Sequence, residues 1–322
     1  MPRYLVTGAA GFIGSRVSGL LLDAGHKVVG VDDMNASYDV RMKEHRLHGL
    51  VGREGFEFRK FDLAERGQVE DLGGEWDAVI HLAARAGVRD SVSDPWVYVS
   101  ANVVGTLNLL ELCRHQQIPK FVLASTSSIY GASAPLPTPE TADSNRPLQP
   151  YAASKKGAEA LCHAYHYLHG IDVTVVCYFT VYGPAGRPNM SIFRFVQQIA
   201  EGKPLQLYGD GNQTRGFTYI DDIARGTILA AQPLGYEVIN LGGHETISIN
   251  ALIQTLEEAL GRKAEIQNLP AEKADMLASW ADISKAGRLL GWEPQVDLKE
   301  GLARTVVWYL AERSWASQIS TD

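Results

Sequence analysis

The stretch Thr7-Gly8-Ala9-Ala10-Gly11-Phe12-Ile13-Gly14 lies between a short apolar run and a helix-like pattern. Its glycines are spaced GxxGxxG, which permits a tight turn and lets backbone N–H groups approach a pyrophosphate at a helix N-terminus. Asp32 ends the next apolar run, eighteen residues after Gly14, where a carboxylate can accept hydrogen bonds from an adenosine ribose. The stretch therefore predicts a dinucleotide-binding βαβ unit. A glycine-rich turn without a ligand is the weaker alternative.

The same aspartate bears on the kind of dinucleotide. No arginine follows Asp32 at once, and its carboxylate would repel the 2′-phosphate of NADP. NAD is therefore favoured over NADP.

Short apolar runs rich in Val, Ile and Phe alternate with helical stretches through the first 180 residues. This rhythm is typical of a parallel sheet covered by helices on both faces, and it predicts an α/β fold with a doubly wound sheet. The runs cover residues 4–7, 27–31, 56–61, 78–82, 121–125 and 172–177.

The rhythm breaks at the turn-rich segment Gly183-Pro184-Ala185-Gly186-Arg187-Pro188. Short strands at 205–208 and 238–241 then mix with helices at 192–201, 221–231, 249–260 and 298–312. We predict a dinucleotide-binding domain over residues 1–180, which also takes segments near 215–240 and 275–288. A smaller, interleaved α+β substrate domain covers 181–322.

Composition narrows the choice of partners and compartment. A net charge of −7 argues against nucleic acid as the main partner, because phosphate binding relies on a basic face. The three cysteines are odd in number and lack CxxC spacing, so neither a disulfide framework nor a zinc site is indicated. The chain shows no signal-peptide pattern and no apolar run near the eighteen or so residues that a membrane span needs. We expect a cytoplasmic protein.

Tyr151-Ala152-Ala153-Ser154-Lys155 places a phenol and an ammonium four residues apart, on one face of a helix that Pro150 helps to start. A phenol with a pKa of about 10 is a poor base at neutral pH, and a nearby ammonium lowers that pKa by favouring the phenolate. Alone, this spacing is as consistent with helix structure as with function. Together with the glycine motif it indicates proton transfer.

Four hydroxyl residues, Ser125-Thr126-Ser127-Ser128, stand at the end of the fifth apolar run. Ser and Thr commonly hydrogen-bond local backbone where a strand gives way to a turn. The stretch alone leaves open whether it is a turn or a site.

Taken together, these motifs resemble the extended short-chain dehydrogenase/reductases that act on nucleotide sugars. The resemblance also includes Asp62-Leu63, His81-Leu82-Ala83-Ala84 and Asn102, and it continues into the C-terminal half at residues 216–223 and 281–286. It implies a Rossmann-like fold, a tightly held and recycled NAD, and a UDP-sugar substrate. It also implies a homodimer that packs through the Tyr151 helix and the helix near residues 99–114.

The resemblance assigns the site residue by residue. Thr126, Tyr151 and Lys155 are implied to be catalytic. The NAD site is implied to include Gly8, Gly11, Phe12, Ile13, Gly14, Asp32, Lys43, Asp62, Leu63, Leu82, Ala83, Ala84, Asn102, Ser125, Tyr151, Lys155 and Tyr178. The substrate site is implied to include Arg89, Thr126, Ser127, Ser128, Tyr151, Thr180, Arg187, Ser191, Tyr208, Arg215 and Asp275.

Ser127 and Ser128 bear on the reaction, since they occupy positions that differ between branches of this family. The 4,6-dehydratases carry an Asp-Glu pair there, and UDP-glucuronate decarboxylases usually carry a Glu at the second position. Two serines favour 4-epimerisation, in which Tyr151 takes the proton of the sugar 4-OH while NAD accepts the C4 hydride. The resulting 4-keto sugar then turns and receives the hydride on its other face.

Residues 86–91, 178–184 and 186–190 resemble the branch that epimerises UDP-glucuronate to UDP-galacturonate. Neutral-sugar epimerases usually carry Asn where Thr180 stands. Hydroxyls of Thr126, Ser127, Ser128 and Thr180 would satisfy the sugar carboxylate and hold it where loss of CO2 is disfavoured. The alternatives are a 4-epimerase of neutral UDP-hexoses such as UDP-glucose and UDP-galactose, and, less favoured, a UDP-glucuronate decarboxylase or a non-catalytic NAD-binding sensor.

The chain departs from its family at two places. Cys177 stands where relatives often have Arg, and Glu272-Lys273-Ala274-Asp275 replaces a more usual Gln-Pro-Gly-Asp. Histidines at 163, 166 and 169 drift around a helix instead of stacking on one face, and we expect no metal there.

Overall fold

The computed structural model describes residues 1–243, 245–270 and 278–321. Its strands are β1 (Arg3–Thr7), β2 (Lys27–Asp32), β3 (Phe56–Lys60), β4 (Ala78–His81), β5 (Lys120–Thr126), β6 (Asp172–Tyr178), β7 (Thr180–Tyr182), β8 (Leu205–Tyr208), β9 (Thr214–Tyr219), β10 (Tyr236–Leu241), β11 (Thr246–Ser248), β12 (Ile266–Leu269) and β13 (Ala278–Ser279).

The helices are α1 (Phe12–Asp23), α2 (Arg41–His48), α3 (Arg66–Glu70), α4 (Asp90–Ser93), α5 (Pro95–Val99), α6 (Gly105–Gln116), α7 (Pro150–His169), α8 (Ser191–Glu201), α9 (Ile220–Leu229), α10 (Ile249–Leu260), α11 (Ser284–Leu290), α12 (Leu298–Ala311) and α13 (Arg313–Ala316). A π-helical segment, Ser100–Val104, joins α5 to α6, and a 3-10 turn, Ser127–Tyr130, follows β5. The four helices predicted after residue 180 lie within two residues of their predicted bounds.

The large sheet has seven strands in the order β10-β6-β5-β4-β1-β2-β3, and all its neighbours are parallel. The six predicted apolar runs are its strands β1 to β6, which confirms the doubly wound α/β prediction. The run predicted at 238–241 is its edge strand, β10. The strand order reverses between β1 and β4, and the crevice at such a switch point is where doubly wound sheets bind ligands.

The C-terminal half builds two small sheets. β9 pairs with β7, β11 and β13, and β8 pairs with β12. Helices α8, α10 and α12 pack around a second core that includes Phe193, Leu252 and Tyr309. The chain thus brings β7, α8 and β8 over the carboxyl ends of the large sheet. The boundaries of the two predicted domains stay a prediction.

One helical stretch, Pro95–Gln116, is long and apolar enough to cross a membrane by length and composition. The sequence prediction missed it because Asn102 and Asn108 interrupt its apolar run. Within the described residues 44% of its apolar window is buried, and it packs against α7. Core helices of water-soluble proteins pass the same test, so length and composition alone do not place this helix in a membrane.

Candidate active site

A cleft of about 960 Å³ runs along the carboxyl ends of β1, β4, β5 and β6. Its wall contains every residue assigned to NAD except Asn102, and every residue assigned to substrate except Asp275. Asp275 and the Glu272-Lys273 departure lie outside the described residues. The fold therefore brings the predicted residues to one cleft, while the role of each stays a prediction.

The glycine motif turns tightly between β1 and α1. Gly8 has a φ of +70°, a conformation that side chains with a Cβ rarely adopt. A Cβ on Gly14 would lie 2.0 Å from the carbonyl oxygen of Gly8. A side chain at either position would collide with backbone of the turn or of the loop after β4, so only glycine allows the tight turn that a dinucleotide site of this kind uses.

Asp32 is held rigidly at the end of β2. Its carboxylate accepts hydrogen bonds from the backbone N–H of Ala10 (3.2 Å) and Met34 (2.9 Å) and from the buried Lys43 Nζ (3.1 Å). Lys43 Nζ also lies 3.6 Å from Asp33. Two carboxylates against one ammonium disfavour a further phosphate here, as predicted for a site that takes NAD rather than NADP.

The catalytic candidates meet where β5 ends and α7 begins. Thr126 closes β5 in register with Tyr178 of β6, and its hydroxyl lies near enough to the phenol of Tyr151 to lower the pKa of that phenol. Lys155, one helical turn later and buried, donates a hydrogen bond of 2.8 Å to the carbonyl of Ala124. The three side chains therefore share the floor of the cleft, as the spacing of Tyr151 and Lys155 predicts.

The electrostatics of this pair differ from the sequence expectation. Burial raises the pKa of Tyr151, while the hydroxyl of Thr126 and the charge of Arg187 oppose that rise. The predicted lowering of this pKa by Lys155 is wrong for this structure, because the ammonium points to Ala124. Burial also lowers the pKa of Lys155 to about 8, against the nearby carboxylate of Glu159.

The hydroxyl stretch divides into three kinds of contact. Ser125 is buried and donates a short hydrogen bond to the carboxylate of Glu159. Thr126 accepts a hydrogen bond from the backbone N–H of Ser128 and donates to its side chain, both at 3.2 Å. Ser127, Ser128 and Thr180 line the cleft and are half-buried. Their contact with a sugar stays a prediction.

Arginines also line the cleft. The guanidinium of Arg89 stacks 4.9 Å from the ring centre of Tyr208. Arg187 donates a hydrogen bond of 3.1 Å to the carbonyl of Ala86, and Arg215 one of 2.9 Å to that of Thr214. Guanidinium groups suit the bidentate recognition of phosphate, so these residues fit a diphosphate.

Sequence reasoning missed several lining residues. Arg85 follows the predicted Ala83-Ala84 pair, and Arg194 lies one turn after Ser191 on α8. Gln206 shares a face of β8 with Tyr208. Helical and strand periodicity, applied outward from Ser191 and Tyr208, would have found the last two.

Asn102 is not among the residues that line the cleft, and its contact with NAD stays a prediction. Its amide accepts a hydrogen bond from the backbone N–H of Arg85 and donates to the carbonyl of Arg85 and to the hydroxyl of Ser154. Ser154 in turn donates to the carbonyl of Tyr151. Because the amide is fully engaged, Asn102 joins the loop after β4 to the first turn of α7.

A buried histidine supports the same loop. The hydroxyl of Thr106 donates its one proton to the carbonyl of Asn102, so its oxygen accepts a hydrogen bond from Nε2–H of His81. The other ring nitrogen, Nδ1, then accepts a hydrogen bond from the hydroxyl of Thr7. Ala83 N–H donates to Thr7. Complete burial lowers the pKa of His81 to about 3. His81 is therefore neutral and carries its proton on Nε2.

The histidines of α7 have ordinary structural contacts. His163 and His166 pack against the ring of Tyr236, and His169 packs against Tyr165. Among the described residues, no group of three His, Cys, Asp or Glu side chains could hold a metal ion.

The chain matches a known protein family and is similar to proteins of known activity. The model of the NAD dependent epimerase/dehydratase family matches residues 4–242. A UDP-glucuronate 4-epimerase of Thermodesulfobacterium geofontis (strain OPF15) is 55% identical over 311 residues, which cover 96% of each protein.

Two solved structures are also similar. That of UDP-glucuronic acid 4-epimerase from Bacillus cereus, in complex with UDP-glucuronic acid and NAD, has a TM-score of 0.91 and 40% identity, covering 96% of this chain and 99% of that one. That of a UDP-glucose 4-epimerase from Thermotoga maritima, with UDP-glucose, has a TM-score of 0.89 and 32% identity, covering 97% and 99%.

Proposed function

The chain belongs to the NAD dependent epimerase/dehydratase family, and from this premise we propose that it interconverts UDP-glucuronate and UDP-galacturonate by epimerisation at C4. The observation that carries the proposal is the floor of the cleft. There Thr126 and Tyr151 lie beside the hydroxyls of Ser127 and Ser128, with no carboxylate at the two serine positions.

NAD is the cofactor of this enzyme. The glycine turn would hold its pyrophosphate, Asp32 its adenosine ribose, and Lys155 its nicotinamide ribose. When bound, NAD supplies the acceptor and the later donor of the C4 hydride, so it is regenerated in each cycle.

Tyr151 acts as the proton carrier at the sugar 4-OH. The Thr126 hydroxyl lies near enough to lower the pKa of the phenol, so we propose that it bridges the phenol and the 4-OH and aligns the proton that is removed. When the 4-keto sugar has turned, Tyr151 returns the proton to the new 4-OH. Arg187 stabilises the phenolate between the two transfers, because its charge lowers the pKa of Tyr151.

The substrate carboxylate is recognised by hydroxyls, and the diphosphate by arginines. Ser127, Ser128 and Thr180 line the reacting end and offer three donors to a carboxylate. Arg89 and Arg215 also line the cleft, beside the Tyr208 ring on which uracil can stack. A neutral C6 hydroxymethyl group would leave some of these donors without a charged acceptor, which favours the acid over neutral UDP-hexoses.

Substrate choice tests the proposal. The purified holoenzyme is incubated separately with UDP-glucuronate and UDP-glucose, and the products are followed by proton NMR. We expect UDP-galacturonate from the acid and little UDP-galactose from the neutral sugar. Equal turnover would make the protein a general 4-epimerase, and turnover of UDP-glucose alone would refute the proposal.

We also propose a homodimer, built on the face shared by Pro95–Gln116 and α7. Trp96, Val99, Val104 and Leu168 are exposed apolar side chains on these two packed helices. The same helices of a second copy would complete a four-helix bundle and cover them. Sedimentation should give a dimer that Val104→Glu dissociates. The control Val307→Glu, at an exposed position on α12, should leave the dimer intact.

Three cysteines bear on the compartment. Cys113, Cys162 and Cys177 are free and buried. Free thiols suit a reducing compartment, so a cytoplasmic location is part of the proposal.

A further inference from the structure

Arg46 of α2 is a buried cation that lies outside the cleft wall. Only 6% of it is exposed, and within the described part of the chain no carboxylate pairs with it. Its Nε and one terminal nitrogen donate to the carbonyl of Ala185 at 2.9 and 2.7 Å, and that nitrogen also reaches the carbonyl of Gly186 at 3.1 Å. The other terminal nitrogen donates to the hydroxyl of Tyr38 at 2.8 Å. A buried guanidinium is costly unless its donors are satisfied, and here backbone carbonyls and a phenol satisfy them.

These bonds hold a turn that would otherwise be unfavourable. Ala185 has a φ of +54°, in the left-handed region that residues with a Cβ rarely occupy. Its carbonyl receives two donors from Arg46, which fix its direction. The planar fork of a guanidinium suits this arrangement, whereas the single ammonium of a lysine does not.

The fixed turn carries Arg187, the next residue but one. Arg187 reaches the cleft, donates to the carbonyl of Ala86 and lies 5.8 Å from the ring centre of Tyr38, the residue that Arg46 also bonds. One helical turn before Arg46, on the same buried face, α2 carries Lys43, which bonds Asp32. One short helix thus touches both the adenosine end of the cofactor site and the turn that presents a substrate-facing arginine.

We propose that Arg46 is a positioning residue for substrate recognition, which fixes residues 183–187 so that Arg187 faces the reacting end of the cleft. The inference rests on the proposed function only for the identity of the ligand, a UDP-linked sugar acid. Arg46 itself does not contact the substrate.

A double-mutant cycle tests the coupling. UDP-glucuronate binding is measured by calorimetry on NAD-loaded protein in a Tyr151→Phe background, which stops turnover. We expect Arg46→Met and Arg187→Met each to weaken binding about tenfold, and the double variant to bind about as weakly as Arg187→Met alone. Arg46→Lys should restore little. Arg53→Met, which removes an exposed partner of Asp23, is the matched control and should bind normally. If the affinity losses of the two single variants multiplied in the double variant, the two residues would act independently and the proposal would be overturned.

A second measurement needs no ligand. Hydrogen exchange of a peptide covering residues 180–190 should be about tenfold faster in Arg46→Met than in Arg53→Met, with similar exchange in the large sheet. Unchanged exchange in this peptide would overturn the proposal. If Arg46→Met does not fold, Tyr38→Phe removes one acceptor of Arg46 while keeping the ring beneath Arg187, and a smaller rise in exchange is expected at the same peptide. If the wild-type protein binds UDP-glucuronate without epimerising it, the proposed reaction fails, while these two measurements still decide the role of Arg46.

Discussion

The ammonium of Lys155 is bonded to the carbonyl of Ala124, at 2.8 Å, and not to the phenol of Tyr151 four residues earlier. This bond joins the catalytic helix α7 to the end of β5, where Ser125 and Thr126 follow at once. The two catalytic candidates of α7 are thus fixed against the strand that carries the third. Whether Lys155 is charged then depends on two opposing effects. Burial lowers its pKa, and the nearby carboxylate of Glu159 raises it.

This dependence predicts how activity varies with pH. Burial lowers the pKa of Lys155 to about 8, so its ammonium is charged below that pH and loses its proton above it. If holding NAD requires the charged form, kcat falls as pH rises through about 8. Glu159→Gln removes the opposing charge, and we expect the alkaline limb of the kcat profile to move down by roughly one pH unit.

The control for this change is Glu111→Gln. Glu111 bonds Arg114 and the phenol of Tyr165, at a distance from Lys155 along the paired helices. Its loss should leave the alkaline limb in place. The same profile for Glu159→Gln and the wild-type protein would show that Glu159 does not set the charge on Lys155.

Removing the phenol should separate chemistry from cofactor binding. In Tyr151→Phe, the sugar 4-OH loses its proton acceptor, and we expect turnover to fall by about 10³-fold. NAD binding, measured by calorimetry, should remain within a few-fold of wild type. Tyr98→Phe is a matched control, because the Tyr98 ring packs edge-on to that of Tyr151 at 6.1 Å and is buried. Substantial turnover in Tyr151→Phe would remove Tyr151 from the proton path.

The sheet and most of the cleft were predictable because they depend on local patterns. Runs of four to seven apolar residues form β1 to β6, and parallel strands bring their carboxyl ends to one edge, where Gly8, Asp32 and Thr126 all lie. Spacing alone also placed Tyr151 and Lys155 on one helical face. These inferences need no knowledge of distant contacts.

The remaining features depend on tertiary contacts that no local pattern contains. The direction of Lys155 follows from the position of α7 against Ala124. Arg46 is buried by the turn at residues 183–187 together with Ala10, Phe12 and Tyr38. Asn102 shows the same limit. Its amide bonds the backbone of Arg85 and the hydroxyl of Ser154, two contacts that its position in the sequence does not indicate.

If the hydroxyls of Ser127 and Ser128 hold the substrate carboxylate, their removal should change the products as well as substrate binding. Ser127→Ala and Ser128→Ala each remove a donor from the wall beside Thr126, and we expect each to raise the KM for UDP-glucuronate about tenfold. A carboxylate that is held less firmly can turn perpendicular to the 4-keto group, so the yield of pentose by-product should rise. Ser133→Ala, at an exposed position just beyond the 3-10 turn, is the control. If both variants kept the wild-type KM and by-product yield, the two serines would not hold the substrate carboxylate.

The buried His81 predicts how stability depends on pH. Burial lowers the pKa of folded His81 to about 3, whereas a histidine in an unfolded chain has a pKa near 6.5. Above pH 6.5 the imidazole is neutral in both states, so its contribution to stability is fully present. As pH falls from 6.5 towards 3, only the unfolded chain gains this proton, and the free energy of unfolding falls by up to about 1.4 kcal/mol per pH unit from this group alone.

Other groups also titrate in this range, so the test compares variants. Urea unfolding of His81→Gln should show about 1–3 kcal/mol lower stability than wild type at pH 7.5, because Thr7 and Thr106 lose their imidazole partner. Between pH 6 and pH 4.5 its free energy of unfolding should fall less steeply than that of the wild type, because one buried base is gone. His169→Gln, at an exposed position at the end of α7, should keep the wild-type slope. If His81→Gln also kept the full slope, the imidazole would already be charged in the folded protein, and the proton assignment through Thr106 would be wrong.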